Sequence, residues 1–187
     1  MANYNGYSPI TPCGYTNEFG NFSGTKEISI PQFQVGSTTE EGETCYSNRW
    51  RGFENPFGDT HINLDGIVLK RDSAYAESKV YTTTDSSKFN GGPSVMNVAG
   101  IEVAANGYIK EFDLGETGEI IPQLIGGSGS TYKCDYHYCN SSSTDNRTLF
   151  VGGGNLGGNS CGLGFFSSDY TVGEARPDAG FRSVIRA

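Results

Sequence analysis

Trp50-Arg51-Gly52-Phe53-Glu54-Asn55-Pro56-Phe57-Gly58, with Asp65-Gly66-Ile67 close behind, holds the only tryptophan, two phenylalanines and an oppositely charged pair within nine residues. Three large rings so spaced bury on the order of several hundred Å² between them. Gly52, Pro56 and Gly58 impose turns that a regular helix or a central strand would not tolerate. The stretch therefore reads as a loop folded into the core. Trp50, Arg51, Phe53, Glu54, Pro56 and Phe57 form its structural motif, and an Arg51–Glu54 ion pair is its internal brace, provided hydrogen bonds offset the desolvation.

Outward from this motif, composition sets the class. A chain of 187 residues suffices for one sizeable domain. Its 27 glycines are about twice the usual share and follow no triplet period, which fits many tight turns. Ordering so glycine-rich a chain costs entropy, and eleven Tyr, eleven Phe and one Trp are the residues that can offset it by packing. The formal charge of -8, with 13 basic residues spread thinly, argues against nucleic acid as a partner.

Cysteines stand at 13, 45, 134, 139 and 161, an odd number without paired CxxC elements. Cys134 and Cys139 could meet across a hairpin, but small buried thiols are the preferred reading. No apolar run is long enough for a membrane span, and the N-terminus has no signal-peptide pattern, so neither membrane insertion nor export by that route is expected.

Along the chain, residues 1–24 form an extended segment in which aromatics alternate with turn dipeptides such as Asn5-Gly6 and Thr11-Pro12. Residues 25–187 form a single domain. Period-two alternation predicts strands at 26–30, 61–69, 80–84, 107–114 and 179–185, with a turn at Asp65-Gly66 and a short helix near 72–79. Over 132–138, alternation puts Tyr132, Cys134, Tyr136 and Tyr138 on one side and Lys133, Asp135 and His137 on the side open to water.

The central motif resembles a run found in structural proteins of tailed bacteriophages, of the tail or fibre type, that infect gut bacteria. The resemblance continues in order through Tyr4-Asn5-Gly6-Tyr7, Pro12-Cys13-Gly14, Asn106-Gly107-Tyr108-Ile109, Ile121-Pro122, Gly126-Gly127-Ser128, Cys134-Asp135-Tyr136, Val151-Gly152-Gly153, Gly162-Leu163 and Ala179-Gly180-Phe181-Arg182. Such proteins are similar to C-type lectins in fold, which implies an α+β, loop-rich domain with a small irregular antiparallel sheet and few short helices. In this chain the N-terminal segment or a partner would complete that domain. The resemblance further implies a noncatalytic virion protein assembled in the bacterial cytoplasm, a homo-oligomer in contact with other virion proteins. Head-fibre or capsid-decoration and tail receptor-binding roles both remain open, as does a soluble lectin-like protein encoded by a prophage.

No reactive constellation is legible. His61 and His137 are the only histidines, and no spacing ties them to Glu54, Asp65 or Asp135. Glycine runs at 126–129 and 152–154 lack the phosphate-loop pattern. Glu54-Asn55-Pro56 is similar to the oxygen-rich calcium loops of some lectins, but core packing is the preferred reading, and neither a metal nor another cofactor is expected. For host-surface polysaccharide the candidates are Tyr136, Tyr138 and Tyr170 as stacking rings, with Asp135, Asn155, Asn159 and Asp169 as polar partners. The same aromatics could instead fill the core.

Overall fold

The computed structural model describes residues 20–30, 33–35, 38–40, 43–89, 92–154, 157–176 and 178–180. Most of the expected N-terminal segment, the candidate Asn155, and the chain beyond Gly180 lie outside them.

In chain order the strands are β1 (Phe22–Ile30), β2 (Phe33–Val35), β3 (Thr38–Glu40), β4 (Glu43–Trp50), β5 (Phe53–Glu54), β6 (His61–Arg71), β7 (Ser78–Thr82), β8 (Asn97–Glu102), β9 (Gly107–Leu114), β10 (Ile120–Ile125), β11 (Tyr136–Cys139), β12 (Arg147–Gly152), β13 (Gly162–Ser168) and β14 (Ala179–Gly180). Helix among the described residues amounts to three single 3-10 turns, at Ser86–Lys88, Pro93–Val95 and Gly158–Ser160.

Strands β1, β4 and β5 make a small sheet and β2–β3 a hairpin. The remaining strands join one nine-stranded sheet ordered β10-β9-β11-β13-β12-β6-β7-β8, with β14 alongside β6. Its two ends curl together. The Val103 N–H donates to the Pro122 carbonyl (3.1 Å), Glu116 N–H to Ala99 O (3.2 Å), and the Gln123 amide to Ile101 O (3.0 Å). Pro122 sits at this seam, where a residue without an N–H costs no ladder bond.

A nearly closed barrel replaces the expected α+β C-type-lectin-like fold. The alternating runs do not form a small irregular sheet under long loops. They pair with one another, and closing the sheet removes most of its open edge. The segment expected to be helical near 72–79 is the connection into β7. Asp65-Gly66 is not a turn but a bulge inside β6. Leu149 pairs with Leu64 and Thr148 with Val68, so residues 65–67 are looped out on that side while the strand runs on.

The barrel interior is apolar through its middle, where Leu69, Val80, Ala99, Ile121, Leu149 and Phe166 form one cluster. Burying each large side chain there stabilises by about 1.5–3 kcal/mol. Gly100 makes room for this packing, because a Cβ at that position would lie 2.6 Å from Ile121 Cδ1.

The motif at 50–58 joins the small sheet to the barrel. Trp50 pairs with Phe53 across Arg51 (φ 49°) and Gly52 (φ 85°), the two left-handed residues that a two-residue type I′ hairpin needs. Trp50 and Phe53 are 51% and 61% exposed, whereas Phe57 is 5% exposed and packs against Cys161. Register sets Arg49 opposite Glu54, and the Arg51 guanidinium lies 5.6 Å from the Trp50 ring centre. Pro56 is half-buried beside Phe57, whose carbonyl accepts from the Asn48 amide (2.6 Å). Gly58 N–H donates to Gly152 O of β12 (3.0 Å), so the motif is a clasp between two sheets with two rings left outside.

Candidate functional site

Alternation along β12 and β13 fixes two faces. Val151 pairs with Phe166 and packs against the interior cluster, so Phe150, Ser167 and Phe165 point outward. On the outer face the aromatic residues form a continuous band. Tyr108 of β9 meets Tyr136 of β11 edge to face at 5.0 Å, and Tyr136 meets Tyr138 at 4.5 Å. Tyr138 meets Phe165 at 5.8 Å, Phe165 meets His61 at 5.6 Å, and His61 meets Phe150 at 5.8 Å. Phe150 then contacts Tyr170 at 5.4 Å, and Arg176 covers Tyr170 at 4.2 Å. Such pairs are each worth about 0.5–1.5 kcal/mol beyond the area they bury.

The middle of the band is buried under the segments carrying Gly154 and Asp178, and its ends are half-buried. Burial, then the neighbouring Tyr138 and Tyr108, pushes the Tyr136 phenol up, and burial does the same for Tyr170. Both phenols stay neutral hydrogen-bonding groups at neutral pH. At the far end Arg176 holds Asp178 through two hydrogen bonds of 2.8 Å and keeps that carboxyl below its ordinary range.

The structure brings together Tyr136 and Tyr138 of the expected glycan residues and places Tyr170 at the other end of the same band. Asp135 is committed elsewhere, since its side chain accepts the Gly164 N–H at 3.0 Å. Asn159 is exposed in the Gly158–Ser160 turn, on the connection between β12 and β13. The Asp169 backbone carbonyl accepts from Arg147 (2.7 Å). Tyr108, His61, Phe150 and Arg176 belong to the band without having been expected there. Phe165-Phe166 carried the usable signal, since one of two adjacent rings in a strand must face outward.

A second cluster lies inside the barrel. Register aligns Arg71, Ser78 and Glu102 across β6, β7 and β8, and Cys139 with Ser168 across β11 and β13. His137 Nε2 lies 2.7 Å from Glu102 Oε1, and Nδ1 lies 2.7 Å from the Ala105 carbonyl. Ser168 Oγ donates to the same Oε1, and the Arg71 guanidinium stands 3.6 Å from Oε2. A carbonyl only accepts, so Nδ1 is the donor to Ala105. His137, expected on a water-facing side, is fully buried, as is Glu102.

Serine, histidine and glutamate are the residue types of a nucleophilic relay, but both Ser168 and His137 converge on the carboxylate. The histidine does not face the serine hydroxyl, which donates to the Glu102 carboxylate instead, so the order of a serine–histidine–acid relay is not reproduced. Cys139 sits in the same layer with its thiol pushed up to about 11 by burial first and by Glu102 second. Cys134, Cys139 and Cys161 are buried free thiols. Among the described residues no three His, Cys, Asp or Glu side chains come together to hold a metal, and no helix is long and apolar enough to cross a membrane.

The chain matches no family model, no curated protein and no solved structure.

Proposed function

We propose that the chain is a noncatalytic component of a bacteriophage virion, a head-fibre or capsid-decoration module that contacts neighbouring virion chains and host-surface glycans through its outer face. The observation that supports this most is the aromatic band from Tyr108 to Tyr170, whose middle is buried but whose half-buried ends, Tyr108, Tyr136 and Tyr138 on one side and Tyr170 on the other, reach the outside of the barrel. Rings of this kind give contact area at low entropic cost and keep a polar end for water or a partner. The ordered motifs from Tyr4 to Arg182 support the phage context. The reading includes assembly into a homo-oligomer.

Cryo-electron microscopy of intact particles, with this chain assigned to density, is the test. Density on the icosahedral shell, with several copies in contact, is the expected result. Density at the distal tail would transfer the role to receptor binding, and absence from the particle would favour a soluble prophage-encoded protein.

A further inference from the structure

Two hollows open on the barrel wall on either side of Asn63. One, of about 200 Å³, lies against the β6 bulge and is bordered by Asn63, Asp65, Phe89, Asn146 and Thr148. The other, of about 240 Å³, is bordered by Asn63, Phe150, Glu174 and Arg176. The chain between Tyr170 and Arg176 skirts both, with Val172 facing the first and Glu174 the second. We infer that the two hollows are adjacent subsites for a neutral oligosaccharide, with Asn63 between consecutive sugar rings; this rests on the proposed glycan contact and gives it a place.

The first hollow combines an apolar ring with planar polar groups, and the second sets small apolar side chains beside an amide, a carboxylate and a guanidinium. Phe89 walls the first, held close over Gly66, where a Cβ would come within 2.8 Å of the phenyl ring. Phe150 lies beneath the second and is only 1% exposed, so Ala175 and Ala179 supply its apolar surface. A pyranose has the matching surface, an apolar C–H face and a rim of hydroxyls that both donate and accept. Carboxylates accept from such hydroxyls and amides do both. Thr148 Oγ1 donates to Asn63 Oδ1 at 2.6 Å, which fixes the amide plane and leaves its two N–H donors for other partners. Each hollow is too small for a drug-sized ligand or a nucleotide, but matches one ring.

Charge selects against acidic sugars. Asp65, Glu174 and Asp178 stand near the pair of hollows, and the cation among them, Arg176, is already held by Asp178 at 2.8 Å and by Glu174 at 3.8 Å. Three carboxylates against one guanidinium leave a net negative wall, which repels uronates and phosphates.

The test uses the full chain in saturation-transfer NMR and titration with cellobiose, maltose, lactose and diacetylchitobiose, alongside their monosaccharides and glucuronic acid. At least one neutral disaccharide is expected to bind more tightly than its monosaccharide, and glucuronic acid is expected not to bind. Asp65→Ala and Glu174→Ala change exposed side chains, one at each hollow, and each should weaken the disaccharide about tenfold, the loss of roughly one net hydrogen bond. Tyr132→Ser, at an exposed residue elsewhere, should leave binding unchanged. Binding that survives both carboxylate variants but is lost in Tyr138→Ala would move the sugar to the aromatic band and overturn the subsites. No binding of any probe would also overturn them, whereas failure of the virion reading shows separately in the particle density.

Discussion

His137 and Glu102 meet at 2.7 Å inside the barrel, both fully shielded from solvent, with Arg71 on the other carboxylate oxygen. The pair joins β11 to β8 across the interior, so it fixes the spacing of strands that are not neighbours in the sheet. Removing one partner of a buried charge network leaves the others uncompensated. Glu102→Ala should destabilise the fold by about 3–5 kcal/mol in urea unfolding. An effect below about 1 kcal/mol would mean that water reaches the cluster.

Gly66 tests the bulge. Its φ is 78°, and a Cβ there would lie 2.6 Å from the Thr83 carbonyl oxygen and 2.8 Å from Phe89. Gly118 has a φ of 98° but open space around it. Gly118→Ala should therefore lose only the conformational cost, about 1–3 kcal/mol. Gly66→Ala should lose that and more, since a backbone carbonyl cannot swing away. Equal unfolding midpoints for the two variants would show that the bulge relaxes freely.

The strands were legible because their apolar residues alternate, as in 61–69 and 107–114, and the barrel was not, because alternation says nothing about which strands pair. Bulges hid the rest. Ala99 and Glu102 are both buried yet three residues apart, because the pairing of β7 with β8 slips between Val80 and Tyr81. Strict alternation would put one of them outside, so the buried carboxylate could not be anticipated. Tyr136 and Tyr138 were recognised as one aromatic face, but their link to Tyr170 runs through Phe165, His61 and Phe150 on three other strands. Trp50 and Phe53 were expected in the core on ring area alone, and the type I′ hairpin turns both outward.

The buried thiols predict an alkaline limit. Burial pushes Cys161 from 9.0 up to about 12 and is the largest cause of the rise in Cys139 to about 11. Between about pH 9 and those values the unfolded chain releases thiol protons that the folded chain keeps. Stability from this source is complete below pH 9 and declines as pH rises through the window. Urea midpoints should fall above pH 9, and the fall should be smaller in Cys161→Ala when each variant is compared with its own value at pH 8. At pH 8 the folded protein should resist iodoacetamide at 134, 139 and 161 until denaturant is added.

His61 sets the acid limit, with the opposite sign. Burial lowers its pKa below 6.5, Arg176 lowers it further, and Asp178, 4.0 Å away, partly opposes them. The folded chain thus holds the imidazole neutral where the unfolded chain takes up a proton. Its contribution is intact above pH 6.5 and is lost as pH falls from there toward the depressed folded value. His61→Phe keeps a ring between Phe165 and Phe150 but cannot titrate, so its unfolding midpoint should change less between about pH 7 and pH 5 than that of the unaltered protein. Asp178→Asn should do the reverse, since removing the opposing carboxylate depresses His61 further and steepens the slope. Asp178 itself titrates lower, below 3.8, because Arg176 holds its carboxylate. The two contributions therefore separate along the pH axis, and unchanged slopes in both variants would show that His61 is hydrated in the folded protein.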